Sequence, residues 1–169
     1  GGVLRVDDGL NAQTSMVDVV GGYLAGTGII FRAVRVSAGG RLGAHGVTTN
    51  EGGTLTIPRT VTLETGAGLL WTVASDTQDR IVVSNLVQQG AVTLFVRNYG
   101  REIQPDEAFE IIPYTGTVTG FDPAQWTVDA SESPVKISTG NAQIQNTGNA
   151  IVLTGLRSPV APGTFIQIR

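Results

Sequence analysis

Few residues in this chain could do chemistry, and their spacing limits what they could do. There is one histidine, His45, in Ala44-His45-Gly46. A hydrolytic triad needs an imidazole set between a nucleophile and an acid. A lone histidine in a glycine-rich corner therefore reads as an exposed turn residue rather than a general base. Cysteine is absent, which removes disulfides and thiolate metal ligands together. Carboxylates form three local groups: Asp7 with Asp8, Asp76 with Asp79, and Asp106 with Glu107 and Glu110. Neighbouring acids can bind calcium or share acid and base work across a sugar linkage. Ser75-Asp76-Thr77-Gln78-Asp79 could offer two carboxylates to calcium, but it lacks the longer loop and closing glutamate of a self-sufficient site. The reading is no enzyme, no catalytic residue, no metal site and no cofactor.

One further chemical possibility lies in Gly21-Gly22-Tyr23-Leu24-Ala25-Gly26-Thr27-Gly28. A glycine-rich loop cradles phosphate when it joins a buried strand to a helix N-terminus. This one runs instead into Ile29-Ile30-Phe31-Arg32-Ala33-Val34-Arg35-Val36, which has strand composition. No Gly-Lys-Ser/Thr ending is present, so the stretch reads as a corner of the chain. Trp71, Trp126, Tyr99 and Tyr114 could stack on sugar rings. The two tryptophans fall in apolar strands, where packing is expected, and Tyr99 is the one expected at the surface.

The elements that position these residues show in the repetition. Gly-Gly-x-Leu occurs as Gly1-Gly2-Val3-Leu4, Gly21-Gly22-Tyr23-Leu24, Gly39-Gly40-Arg41-Leu42 and Gly52-Gly53-Thr54-Leu55, with a degenerate copy at Gly66-Ala67-Gly68-Leu69. A recurring unit of this size marks a solenoid, although the interval drifts and a meandering β-sandwich stays open as the alternative. Charged residues make up 15% of the chain, against about 25% in an average globular protein. With 23 glycines and abundant Val, Thr and Ile, the fold class is all-β. A parallel β-helix with a less regular C-terminal part is expected. It forms a single domain, regular over residues 1–75 and less so over 76–169.

Alternation predicts strands at Thr54 to Ile57, Thr60 to Leu63, Leu69 to Ser75, Arg80 to Ser84, Ala91 to Arg97 and Ala108 to Ile112. Others are expected at Gln125 to Asp129, Pro134 to Ser138, Gln143 to Gln145, Ala150 to Thr154 and Thr164 to Ile168. Ser84 to Gln89 and a turn opened by Asp122-Pro123 are the helical candidates. In the N-terminal half, Leu24, Val34, Val36, Leu42, Leu55, Ile57, Val61 and Leu63 should face one core from parallel strands. The alternating threonines should form outward ladders.

A net charge of −3 excludes the basic footprint of a nucleic-acid binder. No apolar run is long enough to span a membrane as a helix. The chain begins at Gly1 without methionine, as a processed or cut chain would. Val17 to Gly46 resembles the autotransporter-associated β-strand repeat of bacterial surface proteins. The resemblance is carried by Leu24, Gly26-Thr27-Gly28, Val34-Arg35-Val36, Gly39-Gly40-Arg41-Leu42 and Gly46. His45 stands where the family usually has proline. Asp79-Arg80-Ile81-Val82-Val83 and Asp106 to Gly116 extend the similarity. It implies a passenger-type parallel β-helix, extracellular or on the cell surface, serving as an adhesin stalk or filament subunit, and it hands over no catalytic residues.

Both termini read as strand material. Val3, Leu4 and Val6 at one end and Phe165, Ile166 and Ile168 at the other are expected to pair between copies, head to tail, into a fibre. The expected partners are copies of the chain itself, with surface glycans a further possibility. The competing function is a carbohydrate-binding or polysaccharide-degrading β-helix module.

Overall fold

The computed structural model describes residues 2–11, 16–45 and 50–159. Alternating apolar and polar residues form strands throughout. The chain opens with β1 (Val3–Arg5), β2 (Gly9–Leu10) and β3 (Met16–Val19). Next come β4 (Gly22–Ala25), β5 (Ile29–Ile30), β6 (Ala33–Val36) and β7 (Gly40–Gly43). Longer strands follow: β8 (Thr54–Leu63), β9 (Ala67–Val73), β10 (Arg80–Gln88) and β11 (Val92–Asn98). The last are β12 (Phe109–Pro113), β13 (Val118–Thr119), β14 (Trp126–Asp129), β15 (Gln143–Asn146) and β16 (Ala150–Thr154).

These strands make an all-β fold with two parallel sheets and a smaller antiparallel one. The first sheet has the order β1-β4-β7-β9-β11-β14. The second holds β2 and β3, then β5 and β6, then β8, β10 and β13. From β1 to β11 the chain alternates between the two sheets. The antiparallel sheet, β12-β16-β15, stands at the end away from β1, because Tyr114 bridges Val83 of β10 in parallel register.

Register explains the drifting repeat. Leu4, Leu24, Leu42, Leu69 and Leu94 are successive partners across the first sheet, and Val128 continues the column. Four of these leucines carry the glycine-leucine motif. Leu55, in the copy at Gly52-Gly53, belongs to the second sheet, where it pairs with Ile81. The motif thus marks two different corners, and counting both as one repeat produces the irregular interval. At the corner entering the first sheet, Gly39 (φ 77°) and Gly66 (φ 82°) adopt the left-handed conformation that side chains disfavour. Gly40 N–H then closes its turn on the Ser37 carbonyl at 2.9 Å, and Ala67 N–H closes the next on Glu64 at 3.0 Å.

The eight inward residues expected in the N-terminal half all lie in one core, each no more than 1% exposed, and all the pairings of their strands are parallel. Each such Leu, Ile or Val contributes about 1.5–3 kcal/mol by leaving water. The same core continues through Phe109, Ile144, Ile151 and Leu153, so the antiparallel sheet packs on it too.

Several expectations are corrected. Ser84 to Gln89 is not helical: β10 runs through Gln88, with a register shift between Val83 and Asn85. Opposite that shift, β8 continues through Pro58-Arg59 instead of breaking there. Two residues of β8 face one of β10, and such a bulge needs no N–H from the proline. Pro134 to Ser138 is not a strand, since Ser138 makes only an isolated bridge to Arg157 and Val135 is 39% exposed. Threonine ladders do not form along β8, where Thr54, Thr56, Thr60 and Thr62 face Arg80, Val82, Asn85 and Val87. The turn at Asp122-Pro123 is present as a 3-10 helix, Pro123–Gln125, with the Asp122 carboxylate accepting the Ala124 N–H at 3.0 Å. Thr164 to Ile168 lies outside the described residues.

Candidate functional site

The edge of the first sheet formed by β1 presents apolar side chains to solvent. Among the described residues β1 pairs with β4 alone. Val3 is 59% exposed and Leu4 53%, although Leu4 belongs to a column whose next members are buried. Val20 beside them is 71% exposed, whereas Val6 is buried. A hollow of about 350 Å³ opens here, lined by Leu4, Val17, Val19, Leu24 and Tyr23 among others. Of the six residues expected to mediate self-assembly, Val3 and Leu4 present apolar surface and Val6 does not. Phe165, Ile166 and Ile168 lie outside the described residues.

The candidate catalytic groups do not converge. His45 is half-buried rather than exposed, and its Nδ1 is buried without a hydrogen-bond partner among the described residues. Burial, and secondarily Arg5, hold its imidazole below the ordinary histidine range. Asp7 pairs with Arg5, which keeps its carboxyl below the usual range. Glu107 pairs with Arg101, and Glu110 lies 4.0 Å from Arg80. Among the described residues no group of three or more His, Asp or Glu could hold a metal ion. The calcium notion at Asp76 and Asp79 fails on geometry, because Asp76 is exposed while Asp79 is fully buried with both oxygens occupied by backbone N–H groups.

No protein-family model matches this chain, and a search of curated proteins finds no match.

The tryptophans are packing groups. Trp71 is 2% exposed, its ring 5.0 Å from that of Phe109, and Trp126 is 8% exposed beside Phe121. Tyr99 is half-buried, and Tyr114 donates its hydroxyl to Asn146 Oδ1 at 2.6 Å. A polar groove lies instead on the outer face of the first sheet. It has a volume of about 820 Å³ and is lined by Thr93, Phe95, Thr127, Asp129, Ser131 and Lys136 among others. Beside it Arg41 sits 3.7 Å above the Phe95 ring. Glu132 ties Arg41, at 2.7 Å, to Arg97. Burial pushes the Glu132 carboxyl up, but its bonds to the two arginines outweigh this and hold it below its ordinary value.

Sequence reasoning missed three inward-facing polar residues at the corners: Asp79, Gln88 and Asn98, each no more than 4% exposed. Asn98 Oδ1 accepts from Gly100 N–H (3.0 Å) and Arg101 N–H (2.8 Å), while its Nδ2 donates to the Arg101 carbonyl (2.7 Å). A signal existed at Asn98, which continues the inward phase of Val92, Leu94 and Val96, and at Asp79, two residues before inward Ile81, whereas the register shift in β10 hides it at Gln88.

Proposed function

We propose that this chain is a structural β-helix module, displayed outside the cell or on its surface, that associates with copies of itself through its β1 end. Strands that alternate in chain order between two parallel sheets, around one leucine-rich core, support the coiled reading. The resemblance of Val17 to Gly46 to the autotransporter-associated repeat agrees with it and supports a surface location. The observation that carries self-association is the open β1 end, with exposed Val3 and Leu4, an edge that among the described residues no further strand pairs, and an apolar hollow. Unpaired edges recruit further strands. At the opposite end the antiparallel sheet packs against the core. In this reading the strand offered to β1 of a neighbouring copy is Thr164 to Arg169, with Phe165, Ile166 and Ile168 as its apolar side chains.

The test is sedimentation with negative-stain microscopy over a concentration series. The wild-type chain is expected to form end-to-end oligomers. Leu4→Asp and a chain lacking Thr164 to Arg169 are each expected to stay folded and monomeric, because a charge in the hollow or loss of the incoming strand removes the contact. An intact chain that remains monomeric at high concentration would sink the proposal.

The groove on the first sheet favours a second reading, glycan binding without cleavage. Hydroxyls from Thr93 and Thr127, register partners on adjacent strands, recur at about the 4.8 Å strand spacing. That repeat suits a linear polyhydroxylated chain, with Phe95 offering an apolar surface. Neutral oligosaccharides should then shift the Thr93 and Thr127 amide resonances, and Thr127→Val should weaken binding by about tenfold, the worth of one hydrogen bond. No shift with any neutral hexasaccharide at millimolar concentration rejects this reading.

A further inference from the structure

Of the three buried polar corner residues, Asp79 is the one that ionises. It is fully buried. Its Oδ1 accepts the Gly53 N–H at 2.9 Å and its Oδ2 accepts the Thr72 N–H at 2.9 Å. Its own N–H donates to the Thr72 carbonyl at 2.8 Å, and its carbonyl receives the Trp71 Nε1–H at 2.9 Å. One residue thus joins the entry to β8, the end of β9 and the entry to β10. The same corner is knit by Gly52 N–H to Thr77 Oγ1 at 3.0 Å and by Arg80 N–H to the Gly53 carbonyl at 2.8 Å. Among the described residues no cation forms an ion pair with Asp79.

We infer that Asp79 is a proton-operated clip, holding the corner of Gly53, Thr72 and Asp79 more tightly when protonated than when ionised. Two backbone N–H groups do not replace all the hydration that a carboxylate loses on complete burial. Burial accordingly pushes the Asp79 carboxyl up to about 7, against the opposing pull of its bonds to Gly53 and Thr72. A pKa raised in the folded chain means that the closed corner holds the proton more firmly than the open one. The stabilisation is complete below the ordinary aspartate value of 3.8, falls as pH rises, and is gone above about 7. Within that window each pH unit lowers the ratio of closed to open corner about tenfold. The clip is therefore tightened by acid and is loosest at and above neutrality.

The neighbouring titratable groups do not imitate this response. Tyr23 feels the Asp79 charge, but burial first and that charge second raise its pKa out of the window. Arg41, Arg97 and Glu132 also act on Tyr23, and Glu132 is held below its ordinary value by its bonds to the two arginines. His45 packs over Gly53 so closely that a Cβ there would meet its Nδ1. Its pKa is lowered by burial and by Arg5, with Glu51 and Asp7 opposing. Charging His45 on acidification loosens the fold, the opposite sign to Asp79.

The experiment is an NMR titration of the intact chain from about pH 4 to pH 9. It follows the Asp79 carboxyl carbon, the Trp71 indole N–H and hydrogen exchange at the Gly53 and Thr72 amides, corrected for intrinsic rates. The carboxyl is expected to titrate near 7 with the indole signal moving in step. Protection at the two amides should be at least tenfold greater at pH 5 than at pH 7.5. Asp79→Asn removes the titrating proton, so its protection should no longer rise on acidification. His45→Gln removes the opposing charge, so the wild-type trend should steepen. A carboxyl midpoint below about 5 overturns the inference, and so does unchanged protection in both wild type and His45→Gln. Should Asp79→Asn fail to fold, the wild-type carboxyl titration decides alone. None of these readouts depends on end-to-end association.

Discussion

Gly28→Ala is expected to destabilise the protein by about 4 kcal/mol, and Gly28→Val to prevent folding. The reason lies in how the corners stack. Gly28 N–H donates to the Val6 carbonyl at 2.9 Å, and its own carbonyl accepts the Thr56 N–H at 3.0 Å. Ile29 N–H meanwhile donates to the Asp8 carbonyl at 2.6 Å. A Cβ on Gly28 would fall inside the van der Waals envelope of the Asp8 backbone, and one on Gly26 would strike Val6 in the same way. Neither obstacle is the movable end of a side chain. To make room, the corner would have to give up hydrogen bonds that tie three neighbouring strands of the second sheet together. Gly140 is the control, because nothing lies within 4 Å of where its Cβ would stand. Gly140→Ala should change stability by no more than about 0.5 kcal/mol. Urea unfolding of the two variants side by side is the measurement. Equal midpoints would show that close backbone stacking does not require glycine at position 28.

The same corner shows what a glycine-rich stretch can and cannot reveal. Strand composition after Gly28 correctly argued for a corner against a phosphate cradle. Composition alone did not distinguish the two corners that glycine serves. At Gly39 and Gly66 the requirement is a left-handed turn, whereas at Gly28 it is the close approach of a neighbouring backbone. Both read as Gly-rich, which is why the motif containing Leu55 seemed to belong with the column of Leu24, Leu42 and Leu69.

Inward apolar positions were legible for a simple reason: in a strand, side chains alternate faces, and only one face of each parallel sheet meets the core. Leu55, Ile57, Val61 and Leu63 could be named on that basis, even though β8 crosses a proline. Ser84 to Gln89 misled because the register shift after Val83 breaks the period locally, leaving Leu86 and Gln88 out of phase with Ile81 and Val83. Asp79 misled for another reason. A charged residue near a turn is normally solvated, and its burial here depends on N–H groups from Gly53 and Thr72, which only the folded chain brings to it. The apolar end was legible in part: Val3 and Leu4 lie as expected, while Val6 turns inward because its N–H is fixed to the Ala25 carbonyl at 2.7 Å.

Gln88→Leu is the second large effect, an expected loss of about 3–5 kcal/mol despite a gain in apolar character. Gln88 ends β10 pointing into the core, in register with Leu63, so hydropathy alone would favour leucine there. Its amide, however, is fully used. Oε1 accepts the Trp126 Nε1–H at 2.9 Å and the Asp122 N–H at 3.1 Å. Nε2 donates to the Gly90 carbonyl at 3.0 Å and to the Asp122 carbonyl at 3.3 Å. Leucine would fill similar space and satisfy none of these groups, and the Trp126 indole N–H, on a side chain only 8% exposed, would be left dry. An unsatisfied buried donor costs more than a made hydrogen bond gains, so the change should destabilise even with packing preserved. Gln88→Glu separates the two halves of the amide. Below the carboxyl pKa it keeps an acceptor for Trp126 and Asp122 and offers one O–H in place of the two amide donations, so there it should fall between wild type and Gln88→Leu. Unfolding free energies from denaturant titration, with the Trp126 indole resonance as the local reporter, give the ordering. A Gln88→Leu variant as stable as wild type would mean that the core tolerates apolar filling at this corner, and that the hydrogen bonds position the segment from Asp122 to Trp126 without stabilising it.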